Sequence, residues 1–151
     1  MRVVLLGAHP RPMSENTQTL PDTKVDAVGR LYAAYGNGDM NAVLAELAED
    51  VDWAAEAAGS SVPWWGNFRG KGEVPRFFKA IADHVQVTEF DVVSLTANDT
   101  EVVATVHWSF TVNQTGKTAS MYMQHWFRFG DGKIVFFRGS EDTEQSARAF
   151  S

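Results

Sequence analysis

Apolar and polar residues follow two rhythms along this chain. Between Thr23 and His84 the apolar positions recur mostly at spacings of three and four; from there to Glu141 they mostly alternate. The first rhythm belongs to amphipathic helices, the second to half-buried strands. Pro21-Asp22-Thr23 starts a first helix, with Asp22 or Thr23 free to cap it, and Val25, Val28, Leu31, Tyr32 and Tyr35 make its apolar face. Gly36-Asn37-Gly38 stops it. Asp39 caps a second helix with Met40, Val43, Leu44 and Leu47 inward, which ends by Glu49-Asp50. A short strand, Val51–Ala55, follows. After a loop over residues 56–70, Gly72 to about His84 forms a third helix with Val74, Phe77, Phe78 and Ile81 inward.

The alternating half predicts four long strands. In Gln86–Ala97 the apolar positions change parity midway, which predicts a bulge. Glu101–Val112 alternates cleanly, with Trp108 and Phe110 among the inner residues and His107 on the outer face. Ala119–Asp142 then reads as a hairpin about Gly130-Asp131-Gly132, because both central positions of an Asp-Gly turn tolerate positive φ. Successive strand side chains point to opposite faces. His125 therefore shares a row with Met121, Met123, Phe127 and Phe129, and Glu141 shares one with Val135, Phe137 and Gly139. If those rows face inward, an imidazole and a carboxylate stand in an apolar place. The tail after Glu141 reads as a short helix or a frayed end.

Composition narrows the function classes. With 151 residues, 44% hydrophobic and 21% charged, the chain is one ordinary globular domain. A net charge of −6 without clustered Lys or Arg argues against nucleic acid. There is no cysteine, which removes thiol nucleophiles and thiolate metal sites. The four histidines lack metal-ligand spacing, so no metal and no cofactor are expected. The apolar N-terminal run of seven residues is too short to span a membrane. Residues 1–22 read as an extension, 23–151 as the domain, and a cytoplasmic location is expected.

The loop over 56–70 carries Trp64, Trp65 and Phe68. Loops lie on the surface, where exposed rings cost solubility. These rings either lid the core or wall a ligand cavity. On the neighbouring strand Asp52 and Trp53 alternate, and Trp53 is the better pocket wall.

Helices first and a curved sheet afterwards make an α+β layer architecture with helices on one sheet face. That order, with the strings LYAAYGNGDMNAVLAELAEDVDW, WWGNFRGKGEVPRFF, QHWFRF and GKIVFFRGSEDT, resembles the SnoaL-like branch of the nuclear-transport-factor-2-like superfamily. The resemblance spans about residues 24–145 and includes relatives of ketosteroid isomerases, epoxide hydrolases and polyketide cyclases. It implies a cone-shaped fold: three N-terminal helices on a curved mixed, mostly antiparallel sheet enclosing an apolar pocket. It also implies a homodimer through the outer sheet face.

Carried over residue by residue, the resemblance gives a mixed answer. Ala55 stands where ketosteroid isomerases keep an aspartate base, with Glu56 next to it. Leu31 is the ungapped match to their helix tyrosine, and Tyr32 fits with a shift of one residue. His125 occupies the place of their second oxyanion donor, and Glu141 stands where an apolar pocket residue is usual. Steroid isomerisation itself is therefore not expected.

The candidate catalytic set is His125, Glu141, Tyr32 and Glu56. The candidate binding set is Tyr35, Trp53, Trp64, Trp65, Phe68, Phe78, Trp108, Met121, Met123 and Phe137. Burial raises a carboxylate pKa and lowers that of an imidazole, and a contacting His125–Glu141 pair would partly cancel both shifts. Such a dyad could move a proton beside a carbonyl or activate a water. Alternatively, His125 is a core histidine satisfied by a backbone carbonyl or by Tyr32. Two classes thus stay open. One is a cofactor-free enzyme that isomerises, cyclises, hydrates or dehydrates a hydrophobic oxygenated molecule. The other is a non-catalytic module that binds such a ligand or dimerises.

Overall fold

The computed structural model of the protein describes residues 3–4 and 22–151. Most of the extension read over residues 1–22 lies outside the described residues. The first helix, α1 (Thr23–Gly36), starts where Asp22 accepts the Lys24 and Val25 N–H groups at 2.9 and 3.4 Å. It buries Ala27, Val28, Leu31, Tyr32 and Ala34 along one face. It ends as the glycines predict: Gly38 takes φ +69°, and Asp39 N–H closes back on the Ala34 carbonyl at 2.9 Å. Asp39 then caps α2 (Met40–Ala45) through the Ala42 N–H at 3.0 Å.

Helix α2 is shorter than the periodicity predicts. Leu47 belongs instead to β2 (Leu47–Ala55), where it pairs with Ile134. The Ile134 N–H takes the Glu46 carbonyl at 2.9 Å, and the Arg30 guanidinium grips the Glu46 carboxylate at 2.8 and 3.1 Å. Pairing with the sheet outweighs local helix preference at this junction.

After the two-residue strand β3 (Gly66–Asn67) and α3 (Val74–His84) come the long strands: β4 (Val85–Ala97), β5 (Glu101–Val112), β6 (Thr118–Gly130) and β7 (Lys133–Ser140). Counting β1 (Val3–Val4), which pairs in parallel with β4, the sheet order is β1-β4-β5-β6-β7-β2-β3. It is a mixed sheet: β2 lies parallel to β7, and the β4–β7 meander is antiparallel. The protein is therefore an α+β fold with an open sheet. The C-terminal tail forms a fourth helix, α4 (Thr143–Phe150), with Asp142 accepting the Gln145 N–H at 3.1 Å.

Bulges bend this sheet. Strand β4 changes register twice, between Val87 and Glu89 and between Val92 and Ser94, which is the predicted parity change. A third shift lies in the hairpin, where Phe129 pairs with Ile134 but Arg128 with Phe136. Val135 is the extra residue, so Ile134 and Phe137 both turn inward and are buried. Simple alternation had set Ile134 on the outer row. The turn matches expectation, with Asp131 at φ 50° and Gly132 at φ 76°.

The loop over 56–70 folds back on the sheet. Phe68 N–H reaches the Trp53 carbonyl and Gly70 N–H that of Val51, both at 2.8 Å. Trp64 is buried, edge-on to Trp108, Phe110 and Phe150. The loop is thus both a lid on the core and part of the wall beneath it.

Candidate active site

Curvature of the sheet leaves a cavity between its inner face and the helices α1 and α3. It holds about 620 Å³ of empty space counting its mouth, only a small part of it wide enough for a water centre. That part is about 50 Å³, well under the roughly 300–1,000 Å³ usual for small-molecule sites, so a ligand would have to push the lining rings apart. Of the predicted wall, Tyr35, Trp53, Trp64, Phe78, Trp108, Met123 and Phe137 line it. Leu31, Ala55, Phe77, Ile81, Phe90 and Phe127 complete the apolar surface. Three expected binding residues lie elsewhere. Phe68 packs edge-on behind Phe77, Met121 sits under α4 beside Ser146, and Trp65 holds Glu141 from outside the cavity.

His125 faces the cavity from the middle of β6. Tyr32, one turn before the end of α1, places its hydroxyl 2.8 Å from His125 Nδ1. This is the only hydrogen bond recorded for that buried hydroxyl among the described residues, and a phenol has one proton to give. Where Tyr32 donates to Nδ1, the imidazole proton resides on Nε2. Burial pushes the His125 pKa down to about 4 and that of Tyr32 well up. Near neutral pH the ring is therefore uncharged, and in that tautomer it offers an Nε2–H.

Gly139 is the β7 partner of His125. A Cβ there would meet the Phe137 ring at 3.3 Å and His125 Cδ2 at 3.8 Å. The missing side chain keeps the space beside the imidazole clear. Two residues further on, about 7 Å along an extended chain, Glu141 enters the same cavity.

The contacting dyad expected from strand parity does not form. His125 bonds Tyr32, whereas Glu141 is held by other groups. Trp64 Nε1–H donates to Glu141 Oε1 at 2.7 Å and Trp65 Nε1–H to the same oxygen at 3.1 Å. The Ser146 hydroxyl donates to Oε2. Burial raises the Glu141 pKa, opposed by these three donors. The two shifts thus stand uncancelled, because the groups line one cavity without bonding each other. Glu56 is outside it altogether: its carboxylate pairs with Arg138 Nε at 3.1 Å, while Ala55 fills the wall.

Trp53 stacks on Phe137 with ring centroids 3.9 Å apart. Its Nε1 is the one buried side-chain nitrogen or oxygen without a partner among the described residues. Among them no cluster of His, Asp and Glu is arranged to hold a metal ion, and no helix is long and apolar enough to cross a membrane. His107 lies on the outer face, bonded to Glu89 and with its ring tilted against that of Tyr122.

The Ser146 contribution escaped the sequence reading. A signal was present, since Asp142-Thr143-Glu144-Gln145 has the spacing of a helix start, and Ser146, Ala149 and Phe150 then follow at three and four.

This geometry meets an independent line from sequence. The profile of the SnoaL-like domain family matches residues 28–137, and the chain belongs to that family. No curated protein matches it. Among solved structures, an NTF2-like protein of unknown function from Burkholderia pseudomallei shares 24% identity, covering 86% of this chain and 98% of its own, with a TM-score of 0.79. An NTF2-like protein from Burkholderia thailandensis shares 28% over the same fractions, at 0.78. TerC co-crystallised with polyporic acid shares 17%, covering 85% and 98%, at 0.76.

Proposed function

We propose that the protein is a cofactor-free acid/base enzyme acting on a small hydrophobic ketone. The observation that carries this reading is one apolar cavity lined by both His125 and Glu141, each held by partners of its own. Glu141 takes a proton from the carbon next to the carbonyl. The C–H electron pair then forms the enolate, whose oxygen accepts a hydrogen bond from His125 Nε2–H. With a β,γ-unsaturated ketone the carboxylic acid so formed returns its proton to the γ-carbon, which shifts the double bond. With a second carbonyl in the substrate, the enolate carbon attacks that carbonyl carbon, and the C=O π pair moves to oxygen. That oxygen takes the proton from Glu141 as the ring closes. A neutral N–H is an effective donor here, because a preorganised donor in a dry site favours the charge that develops. The unpaired Trp53 N–H, costly to bury unspent, also suits an oxygenated ligand. The co-crystallisation of TerC with polyporic acid is consistent with such a ligand in this fold.

A purely ligand-binding module is the second reading, favoured by the Tyr32–His125 bond, which alone would satisfy a core histidine. A thermal-shift panel of polyketide, terpenoid and steroid-like ketones tests whether the cavity is a site at all. Ketones are expected to raise Tm, and their matched hydrocarbons to raise it less. Soaked crystals should then place the ketone oxygen at His125 Nε2. Ketones and hydrocarbons binding equally, with the oxygen away from His125, would count against both roles for that residue.

A further inference from the structure

Glu141 has four lone-pair directions on two oxygens, and the structure accounts for three of them. Oε1 accepts two indole N–H groups, from Trp64 and Trp65, which saturates it. Oε2 accepts one hydroxyl, from Ser146. These donors come from two separate parts of the chain, the loop over 56–70 and the C-terminal helix α4. Ser146 is also the one buried polar residue among the described residues. Burying a hydroxyl is costly unless it is bonded, and its acceptors are the Glu141 carboxylate and, more distantly, Met121 Sδ at 4.0 Å.

We infer that Ser146, Trp64 and Trp65 are positioning residues that hold Glu141 as a carboxylate and leave a single lone pair, on Oε2, to face the ligand. The inference deepens the proposed function, since it names the atom that would take the substrate proton. It also gives α4 a part in the site. The helix does not depend on Ser146 for its place. Thr115 Oγ1 donates to the Ala149 carbonyl and Lys117 Nζ to that of Ser151, each at 2.6 Å, and the Ser120 N–H reaches Gln145 Oε1 at 2.5 Å. Removing one hydroxyl therefore leaves α4 docked.

The other ionisable groups around Glu141 are few. Asp142, next along the chain, pushes its pKa up. Across the cavity stand His125, held near 4, Tyr35, pushed up to about 12, and Tyr32, pushed well up; none of them changes charge between pH 5 and 9. On α4, Arg148 and Glu144 pair with each other at 2.5 Å, in the open.

Both indole N–H groups bond one carboxylate, so their proton resonances report its ionisation without any substrate. In the full chain, the Trp64 and Trp65 indole signals are expected to titrate together, with one midpoint above the ordinary range for Glu. Glu141→Gln should abolish that titration. Ser146→Ala should move the midpoint up by about one pH unit, because hydrogen bonds to charged groups are worth roughly that much. Ser146→Thr should bring it back. An unchanged midpoint in Ser146→Ala, or indole signals that still titrate in Glu141→Gln, would overturn the inference. Because no ketone enters this titration, a protein that shows the clamp and turns over no ketone would refute the proposed reaction and leave the clamp standing.

Discussion

Glu141→Gln is expected to lower catalysed proton exchange at a ketone α-carbon by about 10²–10⁴-fold, the usual share of a positioned general base. The substitution is conservative in shape. A Gln carbonyl can still accept the Trp64 and Trp65 indole protons that Oε1 accepts now, at 2.7 and 3.1 Å. The cavity therefore keeps its form, and ligand affinity should hold. What disappears is the atom that accepts a proton. Deuterium uptake by 1-tetralone, followed by proton NMR with matched enzyme concentrations, measures the ratio. A variant that exchanges as fast as the wild type would place the base elsewhere. Glu56 is not a substitute, since it stands outside the cavity in an ion pair with Arg138.

The second large effect concerns stability. His125 titrates near 4 in the folded protein against 6.5 for a free imidazole. Between those values the unfolded chain binds a proton that the folded chain refuses. Stability should thus rise with pH across this window and be lost as pH falls from 6.5 towards 4. A difference of that size amounts to up to about 3 kcal/mol. Urea denaturation at pH 7 and pH 4.5 would show it as the difference between wild type and His125→Gln. Glutamine can still accept the Tyr32 hydroxyl but cannot titrate, so the variant should lose less stability in acid. Glu141, whose pKa is raised, acts in the opposite sense in both proteins and cancels in the comparison. Equal acid sensitivity of the two proteins would mean that the imidazole is not held neutral.

The fold was legible wherever local pattern and tertiary demand agreed. The caps at Asp22 and Asp39 and the turn at Asp131-Gly132 are short-range chemistry, visible in the residues themselves. The alternation of β5 needs only a sheet with one dry face, and each of its even residues is buried. The failures came where strand pairing decides. Leu47 leaves the helix because β7, far from it in sequence, lies alongside it, and Ile134 turns inward because Val135 bulges where β7 pairs with β6.

The site divides in the same way. Strand parity puts His125 and Glu141 on the cavity side, yet parity says nothing about which polar groups reach them. Tyr32 lies 93 residues from His125, and Trp64 lies 77 from Glu141. The dyad expected from their shared face is in fact two separately held groups. This separation leaves both burial effects uncancelled, lowering the pKa of the imidazole and raising that of the carboxyl group.

The most direct measurement is deuterium exchange into a ketone that a soaked crystal places against His125 Nε2, followed across pH 5–8 with the wild-type protein. The account predicts exchange above the buffer rate, increasing as Glu141 loses its proton and showing no second transition from His125, whose pKa lies near 4. Exchange no faster than buffer at every pH, with the ketone seated in the cavity, would contradict it.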